Sequence, residues 1–305
     1  MENSLQRVLV TGATSGIGLA VAKELAANGF EVIATARTLE KATRLKETLF
    51  KAGLEVEVLA CDFEKSSEVA KTMERVFELW PLGPWAVVNN AGFAAPGAVE
   101  DVTSELAEKQ LLVNVLAPAQ VMRAFLPSMR NRGSGRIINI SSVSGRVSSP
   151  FVGWYSASKF ALEALSDALR VEVREFGIEV ILIEPTGFAS SIWENALPLL
   201  PSNALTGPYR RAYSKAQKLI GSNFPEPSPV AIIVRAALES RKPRARYLVG
   251  KGSGVIPYLR ILPANLLDLV LQFNLGLRRL PIIVRILRAI AVTLIRALTK
   301  RIARR

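Results

Sequence analysis

The chain contains no histidine and only one cysteine, Cys61. Without imidazole there is no Ser-His-Asp triad, no Cys-His dyad and no metal site built on histidine, and no metal is expected. A lone thiol cannot close an internal disulfide and fits a reducing compartment. Acid–base chemistry must therefore rest on Tyr, Lys or carboxylates. Charge is also scarce, at 21% of residues, while 50% are hydrophobic, the balance of a packed protein and not of a disordered one. The opening residues MENSLQRVLVTG lack the sequence of basic, apolar and small residues that marks a signal peptide, so none is expected.

The charge that is present is unevenly distributed. Of 39 Lys and Arg and 26 Asp and Glu, the segment 241–305 holds fifteen basic residues and one acid, Asp268. That leaves 24 basic and 25 acidic residues in 1–240, a neutral body ahead of a basic tail. Within the tail, Arg285, Arg288 and Arg296 interrupt the apolar run, so no uncharged stretch reaches the ~20 residues of a simple spanning helix. On a helical projection Arg278, Arg285, Arg296, Lys300 and Arg304 share one side, and Ile283, Leu287, Ile290, Leu294, Leu298 and Ile302 share the other. A basic face opposite an aliphatic one predicts a helix lying in the interface of an anionic membrane. The alternative is a helix packed on the body or on a second subunit. Nucleic acid is not expected as a partner, because tracking phosphates needs no aliphatic face of that width. The expected location is cytoplasmic, with peripheral membrane contact.

In the body, short β-rich runs (RVLVTG, EVIATA, EVEVLA, WAVVNNAG, GRIINISS, IEVILIEP) alternate with helical stretches, among them a long one from about 104 to 131. Strands alternating with helices of this length predict an α/β fold, a doubly wound parallel sheet covered on both faces. The strand runs are almost continuously apolar, as a sheet buried on both sides requires. Residues 1–250 are read as this single domain and 251–305 as a helical extension. Ligands of such sheets bind beyond the carboxyl ends of the strands, and the informative residues follow each strand.

After the first strand, TGATSGIG brings Gly12, Gly16 and Gly18 into the start of a helix. Small residues allow close backbone approach to a pyrophosphate, whose charge is favoured at a helix N-terminus. The second strand ends at Ala36 and Arg37, with no acid to hold a ribose hydroxyl. A guanidinium there pairs with a 2′-phosphate, so NADP is expected over NAD. Tyr155 and Lys159 in WYSASK stand one helical turn apart on the same face. That spacing alone occurs by chance in many helices.

Together these motifs make the chain resemble the classical short-chain dehydrogenase/reductase family over roughly residues 5–250. TGATSGIG is similar to its glycine turn, NNAG (Asn89–Gly92) to its fourth-strand motif, and WYSASK to its Tyr-x-x-x-Lys; Ser142 precedes Tyr155 by thirteen residues, as the family's serine does. Asn114 and Asp62 match its helix asparagine and its adenine-pocket aspartate. The phrases SKFALEALSDALRVEV and KPRARYL are most similar to members acting on lipophilic substrates, namely retinol-dehydrogenase-like and hydroxysteroid-dehydrogenase-like enzymes and bacterial aldehyde reductases.

The resemblance implies a Rossmann domain in which Tyr155, Lys159, Ser142 and Asn114 are catalytic. It implies cofactor contacts from Gly12, Thr14, Ser15, Gly16, Ile17, Gly18, Arg37, Asp62, Asn90, Ala91, Gly92, Tyr155, Lys159, Pro185, Gly187 and Ser190. Tyr155 would protonate the alkoxide left by hydride transfer, and Lys159 would stabilise the phenolate and bond the nicotinamide ribose. Ser142 would hold the substrate oxygen, and Asn114 would support a water relay. One departure stands out: EPTGFASS inserts Thr186 between Pro185 and Gly187, so Ser190 or Ser191 must replace the family's threonine. The segment 188–225, with Trp193, Leu199, Leu200, Tyr209 and Tyr213, is expected to cover the strand ends, its aromatics either lining an apolar cleft or packing a lid.

The expected function is NADP-dependent interconversion of a lipophilic alcohol and its aldehyde or ketone, by a homo-oligomer. An NADPH-binding sensor without turnover and a membrane-recruited interaction protein are the alternatives.

Overall fold

A computed structural model describes residues 6–190, 192, 195–214 and 224–274. The basic and aliphatic faces read at 278–305, and Trp193 and Ser191, lie outside the described residues.

Seven strands form one parallel sheet: β1 (Arg7–Val10), β2 (Glu31–Ala36), β3 (Glu57–Ala60), β4 (Ala86–Asn89), β5 (Gly135–Ile140), β6 (Ile178–Pro185) and β7 (Arg246–Val249). Their order is β3-β2-β1-β4-β5-β6-β7, every neighbouring pair parallel. The alternation of side chains along a strand sorts the core into two layers. Val8 and Val10 of β1 face α1 (Gly16–Ala27), α2 (Leu39–Lys51) and α7 (Ser228–Glu239), meeting Val21, Leu25, Leu45 and Val234. Leu9, between them, points the other way with Val87 and Ile137, toward α3 (Ser66–Leu79) and α5 (Ala117–Arg132). Helix α6 (Gly153–Glu172) packs on that side against β6, its Leu169 joining this layer.

The order reverses at β1, whose neighbours are β2 on one edge and β4 on the other. The turns leaving β1 and β4 part there and open a crevice, the usual ligand position in open α/β sheets.

The structure departs from the sequence-based expectation in two places. Helix α7 and strand β7 extend the series beyond β6. The long stretch from 104 is also two helices, α4 (Ser104–Leu111) and α5, joined by a π-helical turn, Leu112–Leu116. Pro118 has no N–H for the carbonyl of Asn114, four residues back, so the regular ladder cannot run through. Such π-bulges occur frequently at functional sites. The span Ser104–Arg132 is long and apolar enough to cross a bilayer by length and composition. Its Val121, Phe125 and Met129 are nevertheless buried against the sheet.

Candidate active site

A cleft of about 480 Å³ lies across the carboxyl ends of the strands. One end is the turn between β1 and α1. Gly12 has φ 67°, and a Cβ there would stand 2.7 Å from the Cα of Ala91. At Gly16, with φ 55°, a Cβ would collide with that of Ser190, and at Gly18 it would strike the Asn90 amide and the Gly12 carbonyl. The turn is clasped by the segment after β4: the Asn90 side-chain amide donates to the carbonyls of Thr11 at 3.0 Å and Gly12 at 2.8 Å. The Thr11 hydroxyl in turn accepts from the backbone N–H groups of Asn90 and Ala91. Thr14, Ser15, Ile17, Ala91 and Gly92 line the cleft with Gly12, while Gly16 and Gly18 sit behind it as spacers. A glycine-spaced turn of small residues at a helix N-terminus suits a diphosphate.

The cleft continues to the end of β2, where Arg37 and Lys41 line it beside Asp62 and Glu64. Arg37 lies 3.6 Å from the Glu64 carboxylate, which is more closely paired with Lys109 at 2.8 Å. Two cations thus share that acid, and Lys41 adds a further positive charge at the cleft wall. Asp62 Oδ1 accepts from the N–H of Glu64 at 3.1 Å, which fixes the loop after β3. Cys61 is buried beside it; desolvation pushes its thiol up to about 11, so it is not a ready nucleophile.

At the other end the structure brings Ser142, Tyr155 and Lys159 together. The Ser142 hydroxyl and the Tyr155 phenol line the cleft as neighbours. Ser142 is held by the turn after β5, its Oγ accepting from the N–H of Ser144 at 3.1 Å. Lys159 lies one turn along α6 from Tyr155, 5.8 Å from the centroid of its ring. Its Nζ donates to the carbonyl of Ile140 at 2.8 Å. Burial pushes the Tyr155 phenol up to about 12, with Ser142 opposing. Burial likewise pulls Lys159 down to about 8, with the negative charge of Glu163 opposing.

Asn114 does not line the cleft but stands behind it, in the π turn. Its side chain accepts from the N–H of Phe93 at 3.1 Å and donates to the Phe93 carbonyl and the Ser158 hydroxyl, both at 3.0 Å. Ser158 donates to the Tyr155 carbonyl at 2.7 Å. Asn114 therefore ties the segment after β4 to the helix that carries Tyr155 and Lys159.

After β6 the inserted Thr186 lines the cleft together with Pro185, Gly187 and Ser190. The Thr186 hydroxyl occupies the space where a Cβ at Gly250 would lie, and Gly250 has φ 111°. Ser190 stands against the glycine turn at Gly16. No signal in the sequence pointed to Gly250.

The described residues of the segment 188–225 fall into two groups. Phe188, Ile192, Asn195 and Leu199 line the cleft together with Phe93 and Val113. Tyr209 and Tyr213 instead pack edge-on against Phe151 in a separate small core. Tyr213 donates to Asp101 at 2.6 Å and accepts from the N–H of Ala98 at 2.7 Å. Of the two roles open to these aromatics, packing is the one they have. No group of three or more metal-ligating side chains occurs among the described residues.

Residues 6–198 match the short chain dehydrogenase family. The chain is 36% identical over 255 residues to the uncharacterized oxidoreductase YusZ of Bacillus subtilis, covering 80% of this chain and 89% of that protein. It is 35% identical over 266 residues to the uncharacterized oxidoreductase YbbO of Escherichia coli, covering 87% and 93%. With estradiol 17-beta-dehydrogenase 2 of Mus musculus it shares 33% identity over 287 residues, covering 87% and 74%. Among solved structures, a metagenomic short-chain oxidoreductase in complex with NADP superposes with a TM-score of 0.64 at 29% identity, covering 80% and 96%. A short-chain dehydrogenase/reductase from Burkholderia phymatum in complex with NAD superposes with a TM-score of 0.74 at 26% identity, covering 86% and 94%.

Proposed function

The chain belongs to the short chain dehydrogenase family of NAD(P)-dependent oxidoreductases, and from that premise we propose that it is an NADPH-dependent reductase of lipophilic aldehydes or ketones, running in reverse on the corresponding alcohols. The single observation that carries this reading is the neighbouring Ser142 and Tyr155 hydroxyls beside Lys159, at the far end of a cleft from the glycine turn.

A nicotinamide cofactor supplies a hydride when bound. The collision of any added Cβ at Gly16 or Gly18 with its neighbours, and the helix N-terminus behind them, fit such a molecule. Gly12, Thr14, Ser15 and Ile17 would hold its diphosphate, Asp62, Ala91 and Gly92 the adenosine half, and Ser190 and Lys159 the nicotinamide half.

The remaining work falls to the side chains. Ser142 presents a hydroxyl to the carbonyl oxygen, a contact that strengthens as negative charge develops there. Tyr155 is protonated at neutral pH and gives its proton to that oxygen. Lys159 places positive charge against the ring as it becomes phenolate. Asn114 fixes the Tyr155 segment of α6 through Ser158.

The preference for NADPH rests on Arg37 and Lys41 at the cleft wall and on the absence of an acid at the end of β2. The lipophilic substrate is supported by Phe93, Val113, Phe188, Ile192 and Leu199 in the lining, and by the likeness to a steroid dehydrogenase. The sequence of 278–305 further suggests that this enzyme works at an anionic membrane surface, where an apolar substrate would be dissolved, and as a homo-oligomer. A screen of aliphatic aldehydes, retinoids and steroid ketones, followed by NADPH absorbance, tests the reading. No consumption with any of them would overturn it.

A further inference from the structure

Behind Tyr155 and Lys159 lies a group of buried charges that the proposed reaction does not use directly. Glu163 follows Lys159 by one helical turn on α6 and is 6% exposed. Its Oε2 accepts from Arg246 Nε, at the start of β7, at 3.2 Å. Arg246 also pairs with Asp167, a turn further along α6, and lies 3.2 Å from Glu184 Oε1 of β6. Glu184 is fully buried and accepts twice from Arg146, at 3.0 and 2.8 Å. Arg146 belongs to the turn that begins at Ser142. Three carboxylates therefore share two guanidiniums, with Arg170 joining Asp167 only at the solvent edge.

Asp167 is 42% exposed, so the buried carboxylates are Glu163 and Glu184, and both draw on Arg246. A buried charge is tolerated only when paired, and the buried cation one turn from Glu163 on α6 is Lys159. The packing is close: a Cβ at Gly145 would stand 3.0 Å from Glu163 Cγ and 3.2 Å from the Lys159 carbonyl oxygen. The turn carrying Ser142 thus lies directly on the face of α6 that presents both residues.

We propose that Glu163 is a positioning residue of this site: its buried carboxylate is the counter-charge that keeps the Lys159 ammonium protonated beside Tyr155, and Arg246 pins that carboxylate to the sheet. The inference rests on the reading in which Lys159 assists Tyr155. Desolvation pulls Lys159 down to about 8, and Glu163 is the acid that opposes it. The carboxyl of Glu163 is itself held above its usual range by burial, with the Ser141 hydroxyl opposing and the charge of Glu184 adding to the rise, while Arg246 and Arg146 restrain it. Arg246 therefore keeps Glu163 ionised. The groups facing Lys159 and Glu163 are Tyr155 and Asp167 on α6, Ser141, Ser142 and Arg146 from the segment after β5, Glu184 from β6 and Arg246 from β7.

Carbonyl reduction requires protonated Lys159, so its rate falls as pH rises through the pKa of that group. In Glu163→Gln the alkaline midpoint should move to lower pH by about one unit, the lower end of the effect of a neighbouring charge. Glu163→Asp keeps the charge and should restore most of the wild-type midpoint. Arg246→Gln removes the cation that keeps Glu163 ionised and should move the midpoint the same way, to lower pH, though by less. A purely structural role for Glu163 would lower the rate at every pH and leave the midpoint in place.

The same midpoints can be read without turnover, from the lysine ¹³Cε resonances of the full chain, with Lys159→Met identifying the Lys159 signal. Shifts to lower pH in both Glu163→Gln and Arg246→Gln support the inference. An unmoved Lys159 midpoint in both, or Glu163→Asp acting like Glu163→Gln, overturns it. Should Glu163→Gln fail to fold, Glu163→Asp and Arg246→Gln decide alone. Absence of turnover on every carbonyl would overturn the proposed function instead, and the resonance titration would still decide the role of Glu163.

Discussion

The Lys159 ammonium stands 5.8 Å from the centroid of the Tyr155 ring and gives a hydrogen bond to the carbonyl of Ile140, at 2.8 Å. It faces the ring of Tyr155, while Ser142 is the neighbour that favours the phenolate. With the phenol pushed up to about 12 by burial, Tyr155 holds its proton throughout the neutral range and is set up as an acid. The phenolate needed for alcohol oxidation requires more positive charge than Lys159 alone provides here.

Tyr155→Phe should reduce carbonyl reduction by roughly 10²–10⁴-fold, the usual contribution of a positioned proton donor. NADPH binding, followed by quenching of tryptophan fluorescence, should persist, because the ring and the Ile140–Lys159 bond are retained. A near-normal rate in this variant would remove Tyr155 from the mechanism.

Burial of Lys159 predicts a pH-dependent stability. The unfolded lysine titrates near 10.5 and the folded one near 8, so between these values the unfolded chain binds the extra proton. Stability contributed at this site therefore rises with pH across that window, and the cost of burying the charge is fully present below about 8. Lys159→Met should be more stable than wild type at pH 7, by up to about 3 kcal/mol. The difference should shrink toward zero as the pH approaches 10.5. Urea unfolding of both proteins at a series of pH values checks this; a gain independent of pH would contradict it.

Arg37→Ala should weaken NADPH binding by about 1.5–3 kcal/mol, the range for a hydrogen bond to a charged group, and leave NADH binding nearly unchanged. Because Arg37 is about half exposed and partly shared with Glu64, the lower end of that range is expected. Equal losses for both cofactors would show that Arg37 does not read the 2′-phosphate.

Removing residues 278–305 should release the protein from anionic vesicles while leaving reduction of a small soluble aldehyde largely intact. Every residue assigned to the cleft lies before Leu200, and the sequence of 278–305 would separate basic from aliphatic residues if helical. Co-sedimentation with neutral and anionic vesicles at low and high salt measures this. Unchanged vesicle binding would refute the anchor, and loss of the folded body would favour packing of this segment on the protein.

What the sequence determined by itself is local in origin. The apolar runs of β1, β4, β5 and β6 read as strands because a parallel sheet buried on both faces needs no polar alternation, and all four are there. Gly12, Gly16 and Gly18 stand out because only glycine suits those turn positions, and Tyr155 and Lys159 because four residues make about one helical turn. What the tertiary structure decided depends on groups far apart in the chain. Ser190 closes on Gly16 and the Thr186 hydroxyl fills the space over Gly250. Tyr213 bonds to Ala98, 115 positions away, and so leaves the cleft for a separate core. Arg246, 83 positions after Glu163, joins β7 to α6 behind Lys159. No local pattern encodes such pairs, because each residue looks like an ordinary surface polar or loop residue until the sheet order brings its partner alongside. The pKa values of Tyr155 and Lys159 follow the same rule, since desolvation is a property of everything packed around them and not of their spacing.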